Sequence, residues 1–425
     1  MIKSFINLHC GEKNKVPILI GFILFFAMLS TTLLFTYHDI LHIVALGLQI
    51  IFFGYNVFLF FKTKNYNFSF LIFIVPFAIS VAISLILNGY NSNYNTIASE
   101  LLIFISIVYF AQTIPNKKDC FSIVKICLVI FVFYFLIVYF MDFVTLVKSN
   151  DFSDVRFGDK IAPINMITIY FDLVCAFVFL ATMQKFKSKK ILYAIILLFI
   201  YVISFLCGVS TGSKQFIVVT LVVNLISLIW FFGKRRWYIS LAIIVSLLLL
   251  SIFLLTLPIF STIAERFKSM FDLLTEQEGS DYSSATRIMM FNEAIYLFTK
   301  RPVFGYGLWG YAINGSYGTY SHNTLSNILC EFGAIGFFTF GFLVFGPILM
   351  KLAKNKKDFF IDKSVWIALL CIVIQFAFGV LYSHKITFVI TAISCIYFYD
   401  GSVPKIKNVS HLPQIENGNW LSINI

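Results

Sequence analysis

The chain has 425 residues, of which 60% are hydrophobic and only 12% charged, with a mean hydropathy of +0.90. That composition excludes water as the main solvent and leaves a bilayer as the setting for most of the chain. The net charge of +12 marks the orientation of membrane segments and gives no reason to expect nucleic acid, because no soluble basic domain is there to bind it.

In chain order the sequence predicts twelve apolar spans of the length a bilayer core demands. They lie near 16–36, 40–61, 68–87, 97–114, 121–147, 164–184, 191–210, 215–232, 237–258, 325–350, 364–382 and 385–400. The spans are built mostly from Phe, Leu, Ile and Val and lack the alternation of period two that a barrel needs, so they satisfy their backbone as helices. The first follows Lys13 and Lys15 but has no small-x-small cleavage site and is too long for a leader, which predicts an uncleaved transmembrane helix. His38 and His42 stand four apart at a helix end with only Asp39 beside them, a pattern better explained by interfacial polar residues than by a metal. Lysine and arginine recur in alternate loops, at Lys62 and Lys64, Lys117 and Lys118, Lys185 to Lys190, Lys234 to Arg236 and Lys351 to Lys363. This bias predicts that those loops and both termini are cytoplasmic. The scattered cysteines imply neither a metal nor a disulfide framework. The fold class is therefore an all-α polytopic membrane protein in three parts: nine spans over 1–258, an external loop with an amphipathic helix over 259–324, and three spans with a cytoplasmic tail over 325–425.

Unusual residues gather in the predicted external segments. Segment 148–163 carries Arg156 and Gly158, with Asn165 just beyond it. Lys214, in S-T-G-S-K-Q, reads either as a snorkelling lysine in a short loop or as a cation placed to meet phosphate. In 259–324 an acidic stretch (Glu276, Glu278, Asp281) precedes a helix that Ser283 or Ser284 can cap and Pro302 limits. Ile288, Phe291, Ile295 and Phe298 recur at helical spacing, which predicts that this helix lies on the membrane or on the bundle. Arg287, read as lying in its first turn, opposes the helix dipole, a hint of a bound anion. Gly305, Gly307 and Gly310 spell G-x-G-x-x-G but follow a helix, with no βαβ unit; they predict a tight turn that lets backbone approach a ligand or another helix. His322 and Asn323 stand just before the tenth span, where Ser321 can cap the helix. They read either as a capping cluster or as a site where histidine moves a proton.

Taken together, Arg287, the R-P-V-F-G-Y-G run from Arg301 to Gly307, and S-H-N-T-L followed by Glu331, Gly333 and Gly336 resemble the O-antigen polymerase and ligase superfamily of bacterial envelope polysaccharide assembly. Arg156-Phe-Gly158 with Asn165 is similar to an earlier motif of that family, and T-G-S-K matches the place where members usually carry Ser-Arg. Lys214 keeps the charge there but not the guanidinium fork.

The resemblance implies a membrane-embedded glycosyltransferase that uses a polyprenyl-diphosphate-linked oligosaccharide as donor at the periplasmic face of the inner membrane. It needs no cofactor, metal or nucleic acid. Lys214 and Arg287, with Arg156, would meet the diphosphate, and His322 would take or orient the acceptor hydroxyl proton. Arg301, Asn323, Glu331, Gly305 and Gly307 would line the substrate. A protein that regulates chain length is among the partners the resemblance allows. The favoured reading is a polymerase. A ligase acting on the lipid A core stays open beside it, as does a transporter or flippase, although charges at one membrane face and a lopsided loop fit a repeated-half transporter poorly.

Overall fold

A computed structural model of the chain describes residues 15–34, 39–63, 68–113, 118–149, 164–211, 213–232, 282–354, 363–382 and 384–399, with a few positions between 238 and 256. The described residues form 13 α-helices and no strands. Eight come first: α1 (Lys15–Leu34), α2 (Asp39–Thr63), α3 (Leu71–Asn88), α4 (Asn93–Thr113), α5 (Lys118–Ser149), α6 (Ile164–Lys187), α7 (Ile191–Ser210) and α8 (Lys214–Phe232). Five follow: α9 (Tyr282–Lys300), α10 (Gly310–Asn314), α11 (Thr324–Lys354), α12 (Lys363–Gln375) and α13 (Lys385–Tyr399). Seven of them are long and apolar enough to cross a membrane, by length and composition. The architecture is that of a multi-pass helical membrane protein. Eleven of the predicted spans coincide with a helix within a few residues at most ends, whereas the span at 237–258 lies largely outside the described residues.

Phenylalanine does the packing. Phe77 of α3 meets Phe332 and Phe340 of α11 and Phe388 of α13, with ring centroids 6.2, 5.4 and 6.4 Å apart. Tilted and edge-on rings at such distances attract beyond their buried area, which lets a chain short of small-residue seams hold its helices together. The outward residues of the same helices, such as Ile79 and Ile86 of α3 and Phe338 of α11, are exposed apolar surface. Lipid would be their solvent. The cysteines of the described residues are buried and form no disulfide.

One end of the bundle gathers the α3–α4 turn, residues 301–324 and the stretch after α12, joined through Asn91 and Leu308 and through Thr324 and Phe376. Side-chain bonds tie that end together: Gln215 of α8 donates to Thr168 of α6 (2.7 Å), Thr220 of α8 donates to Asp172 of α6 (2.7 Å), and Gln375 of α12 donates to the same carboxylate. Lys363, at the start of α12, donates to the Trp230 carbonyl near the end of α8 (3.3 Å), which fixes the opposite end.

One predicted boundary is corrected. The span at 364–382 does not stay helical: α12 stops at Gln375, and 376–382 is irregular. The carbonyls of Phe376 and Gly379 turn aside to accept from the Thr324 amide (2.9 Å) and hydroxyl (2.5 Å), so the helical ladder ends there. With 13 and 15 residues, α12 and α13 are about 20 and 22 Å long at 1.5 Å per residue. Neither covers a hydrocarbon core of about 30 Å. In a bilayer the connection between helices this short would lie below the membrane face, where irregular backbone is tolerated only when protein surrounds it.

Candidate functional site

The site is built on a helix that has been opened. In α11 Gly333 adopts φ 65°, ψ −164°, which removes the bonds from the Ala334 and Ile335 amides to the Cys330 and Glu331 carbonyls. All four freed groups are taken up by the turn after α9. Tyr306 and Gly307 donate to the Cys330 and Glu331 carbonyls (2.9 and 2.8 Å), while Ala334 and Ile335 donate to the Pro302 and Val303 carbonyls (2.8 and 3.3 Å). Buried backbone groups must find partners. Here one loop stands in for a missing helical turn.

Glycine is required where the two strands of backbone meet. A Cβ on Gly305 would lie 2.5 Å from the Cys330 carbonyl oxygen, and one on Gly333 would lie 2.3 Å from that of Val303. Gly305 and Gly307 also take left-handed φ values of 65° and 87°. The G-x-G-x-x-G run is thus the tight turn that the sequence predicts, brought against another helix. Its far side rests on the α3–α4 turn: the Leu308 carbonyl accepts from Asn91 (2.7 Å) and its amide donates to the Tyr94 hydroxyl (3.2 Å). Arg301 is exposed, donates to the Asn88 side chain (3.3 Å) and lies over the Tyr306 ring, 4.7 Å from its centroid.

Helix α9 lies against this assembly through Met290 and Ala294, which pack on Tyr311 and Cys330. Ile288 and Phe291 of the predicted stripe remain exposed. One detail differs from the sequence reading. The helix begins at Tyr282, so Arg287 sits in its second turn, exposed, rather than in its first. Glu293 reaches back to the loop, accepting from Tyr311 (2.8 Å) and from the Ser316 amide and hydroxyl (2.8 and 2.6 Å). Burial alone would raise this carboxyl, but the Ser316 and Tyr311 bonds outweigh it and hold it below the usual carboxylate range.

His322 stands at the mouth of α11 in a left-handed conformation (φ 56°), uncommon for a residue with a Cβ. Its ring lies 4.5 Å from that of Tyr320, and its Nδ1 is buried with no hydrogen-bond partner. Burial, and next the positive charge of Arg287, push its pKa down to about 4. The imidazole is therefore neutral at pH 7. The helix cap is Asn323 rather than Ser321: Asn323 Oδ1 accepts from the Ser326 amide (3.0 Å), and its Nδ2 donates to the Ala377 carbonyl (3.2 Å). Ser321 instead donates its amide to Asn327 (3.0 Å).

Glu331 is buried within the opened helix. Its carboxylate accepts from the Tyr382 hydroxyl, and Asn327 and the Trp309 and Tyr311 amides also bond to it. It fastens the glycine turn to the α12–α13 connection. The structure therefore brings together Arg287, Arg301, Gly305, Gly307, His322, Asn323 and Glu331. Lys214 opens α8 at the same end of the bundle, two turns before Thr220, and its side chain lies outside what the structure describes. So do Arg156, the side chains of Asn165, Ser283, Ser284 and His42, and all of His38 and the acidic stretch at 276–281. Sequence reading passed over Tyr382, and also Glu100, Asp172 and Lys385. The signal was present: each of those three is an ionisable residue within or at the head of an apolar run.

Helices enough to cross a bilayer several times, with a cluster of polar groups at one end of the bundle, define a multi-pass membrane protein. Residues 199–341, from α7 through the opened part of α11, match the family model described as O-antigen ligase. The match covers about a third of the chain, and over those residues the chain is similar to the O-antigen polymerase and ligase superfamily. No curated protein sequence matches it.

Proposed function

We propose that the protein is a polymerase of O-antigen or a related surface polysaccharide. It would transfer glycan from a polyprenyl-diphosphate carrier to a sugar hydroxyl of another lipid-linked repeat unit, at the periplasmic face of the inner membrane. The observation that carries this reading is the meeting of neutral His322 with the Arg287 charge at the mouth of the opened α11. The acceptor hydroxyl attacks the anomeric carbon while the bond from that carbon to the diphosphate oxygen breaks. The electron pair leaves with the diphosphate, opposite Arg287 and Lys214, and the hydroxyl proton passes to His322. Attack from the face opposite the leaving group inverts the anomeric carbon. Glu331 and Asn323 hold the turn and the mouth of α11 in place for this step.

The proposed arrangement has nine spans over 1–258, a periplasmic loop over 259–324 and three spans with a cytoplasmic tail over 325–425. The lysine-rich loops support it. The loop's polar part is acidic, with Glu265, Asp272, Glu276, Glu278 and Asp281. Such a surface suits a neutral glycan acceptor better than a phosphorylated lipid A core, because like charges repel. The description of the matched family favours a second reading, a ligase with the lipid A core as acceptor.

Deleting the gene separates them. A polymerase leaves lipopolysaccharide capped with a single repeat unit. A ligase leaves bare core with polymer retained on the carrier, and unchanged polysaccharide would rule out both. Returned on a plasmid, His322→Ala, Arg287→Ala and Lys214→Ala should each give little polymer at normal protein levels, since losing one pre-organised polar contact costs about 10² to 10³ in rate.

A further inference from the structure

Beneath the mouth of α11, the head of α13 holds a cluster of polar groups that the transfer step leaves unused. Lys385 is the first residue of α13 and only 8% exposed, yet it donates no hydrogen bond among the described residues. The opposing charge is Glu100 of α4, 0% exposed, and both of its carboxylate oxygens lack a hydrogen-bond partner. Within the same turn the Thr387 hydroxyl and His384 Nδ1 are buried and also unpartnered.

Four unsatisfied polar groups in one place are rare in a native fold and ask for something between them. A buried charge pair persists on good geometry and added hydrogen bonds. No hydrogen bond joins Lys385 to Glu100, so Lys385 is not fixed to its neighbour and can take another partner. The surroundings favour a negative one: an ammonium, a hydroxyl and an imidazole stand at the positive end of a helix of 15 residues. The place also adjoins the site above it. Tyr382, three residues before Lys385, bonds to Glu331 and accepts from Asn327 (3.1 Å), which in turn accepts from the Ser321 amide (3.0 Å) beside His322.

We propose that the head of α13 is an anion subsite in which Lys385, Thr387 and His384 bind the phosphate of the carrier nearest its polyprenyl chain, with Glu100 as the counter-charge that Lys385 keeps in the empty protein. This rests on the lipid-diphosphate donor proposed above. The depth of the subsite suits it, because a lipid-borne phosphate enters from the membrane face with its chain still in the bilayer.

The test is binding of farnesyl diphosphate to the full-length protein in nanodiscs, with the thermal unfolding midpoint recorded for each variant. Lys385→Met should weaken binding about 10-fold or more, the loss expected for one charge-assisted contact, and Lys385→Arg should keep most of it. Glu100→Gln should tighten binding, because it removes the competing counter-charge. That opposition of sign is the signature. If Lys385→Met binds as tightly as the parent, the subsite is refuted while the donor class stands. If Lys385→Met and Glu100→Gln weaken binding alike, lower the midpoint alike and are rescued when combined, the pair is structural and the proposal is wrong. If the parent protein itself does not bind farnesyl diphosphate, the donor class proposed above fails and takes the subsite with it.

Discussion

Alanine at Gly333 tests the splice between the glycine turn and α11. The added methyl would sit 2.3 Å from the Val303 carbonyl oxygen, 2.4 Å from its carbon and 2.7 Å from the Phe304 amide nitrogen, all of them backbone. A residue with a Cβ at φ 65°, ψ −164° costs about 1–3 kcal/mol, and overpacking adds about 1–3 kcal/mol. The total is about 2–6 kcal/mol if the splice survives. If it gives way, α11 can close on itself and restore two bonds, which leaves the Tyr306 and Gly307 amides and the Pro302 and Val303 carbonyls to find new partners. Each that stays buried and unpaired costs about 1–3 kcal/mol. Gly341 is the control, eight residues on in the same helix with nothing within 4 Å of its Cβ position. There alanine should be neutral or stabilise by up to about 1 kcal/mol. Equilibrium unfolding in mixed micelles, followed by tryptophan fluorescence, reads both variants. A Gly333→Ala protein within about 1 kcal/mol of the parent, well below the range above, would show that the splice is not the constraint described.

Further outcomes concern His322 and the orientation of the chain. By NMR of labelled imidazole, His322 should titrate near pH 4, remaining neutral through the physiological range. In Arg287→Gln the midpoint should rise only part of the way towards 6.5, because burial is the larger cause; no rise at all would separate the two side chains. The unfolded histidine binds protons more readily, so His322 should contribute stability at neutral pH that is lost as pH falls from about 6.5 towards 4. Single cysteines at positions 150 and 278, in a cysteine-free background, should react with an impermeant thiol reagent in intact cells. One at Lys187 should not, and labelling at 187 alone would invert the proposed orientation.

Helix existence was legible because apolar run length is a strong signal: α7 lies at 191–210, where its span is predicted. The interruptions were not. Glu331-Phe-Gly-Ala-Ile-Gly336 reads as continuous helix, since glycine is common in membrane helices, and only the arrival of residues 302–307 makes Gly333 a break. The same holds at Gln375, where Thr324, distant in sequence, captures the next carbonyls. Ser321 and Asn323 are equally good caps in sequence, and tertiary bonds choose between them. His322 and Arg287 stand out in the sequence as polar residues that their local surroundings do not explain.

The break between α12 and α13 has an electrical consequence. While α5 and α11, at 32 and 31 residues, overshoot a bilayer core, this pair falls short and leaves a ledge lined by Tyr382, His384 and Lys385. A charge on the ledge is screened by little water, and its attraction for an opposite charge grows as the local dielectric falls. The same lysine placed on the loop above would pull on a phosphate far more weakly, and salt would weaken it further.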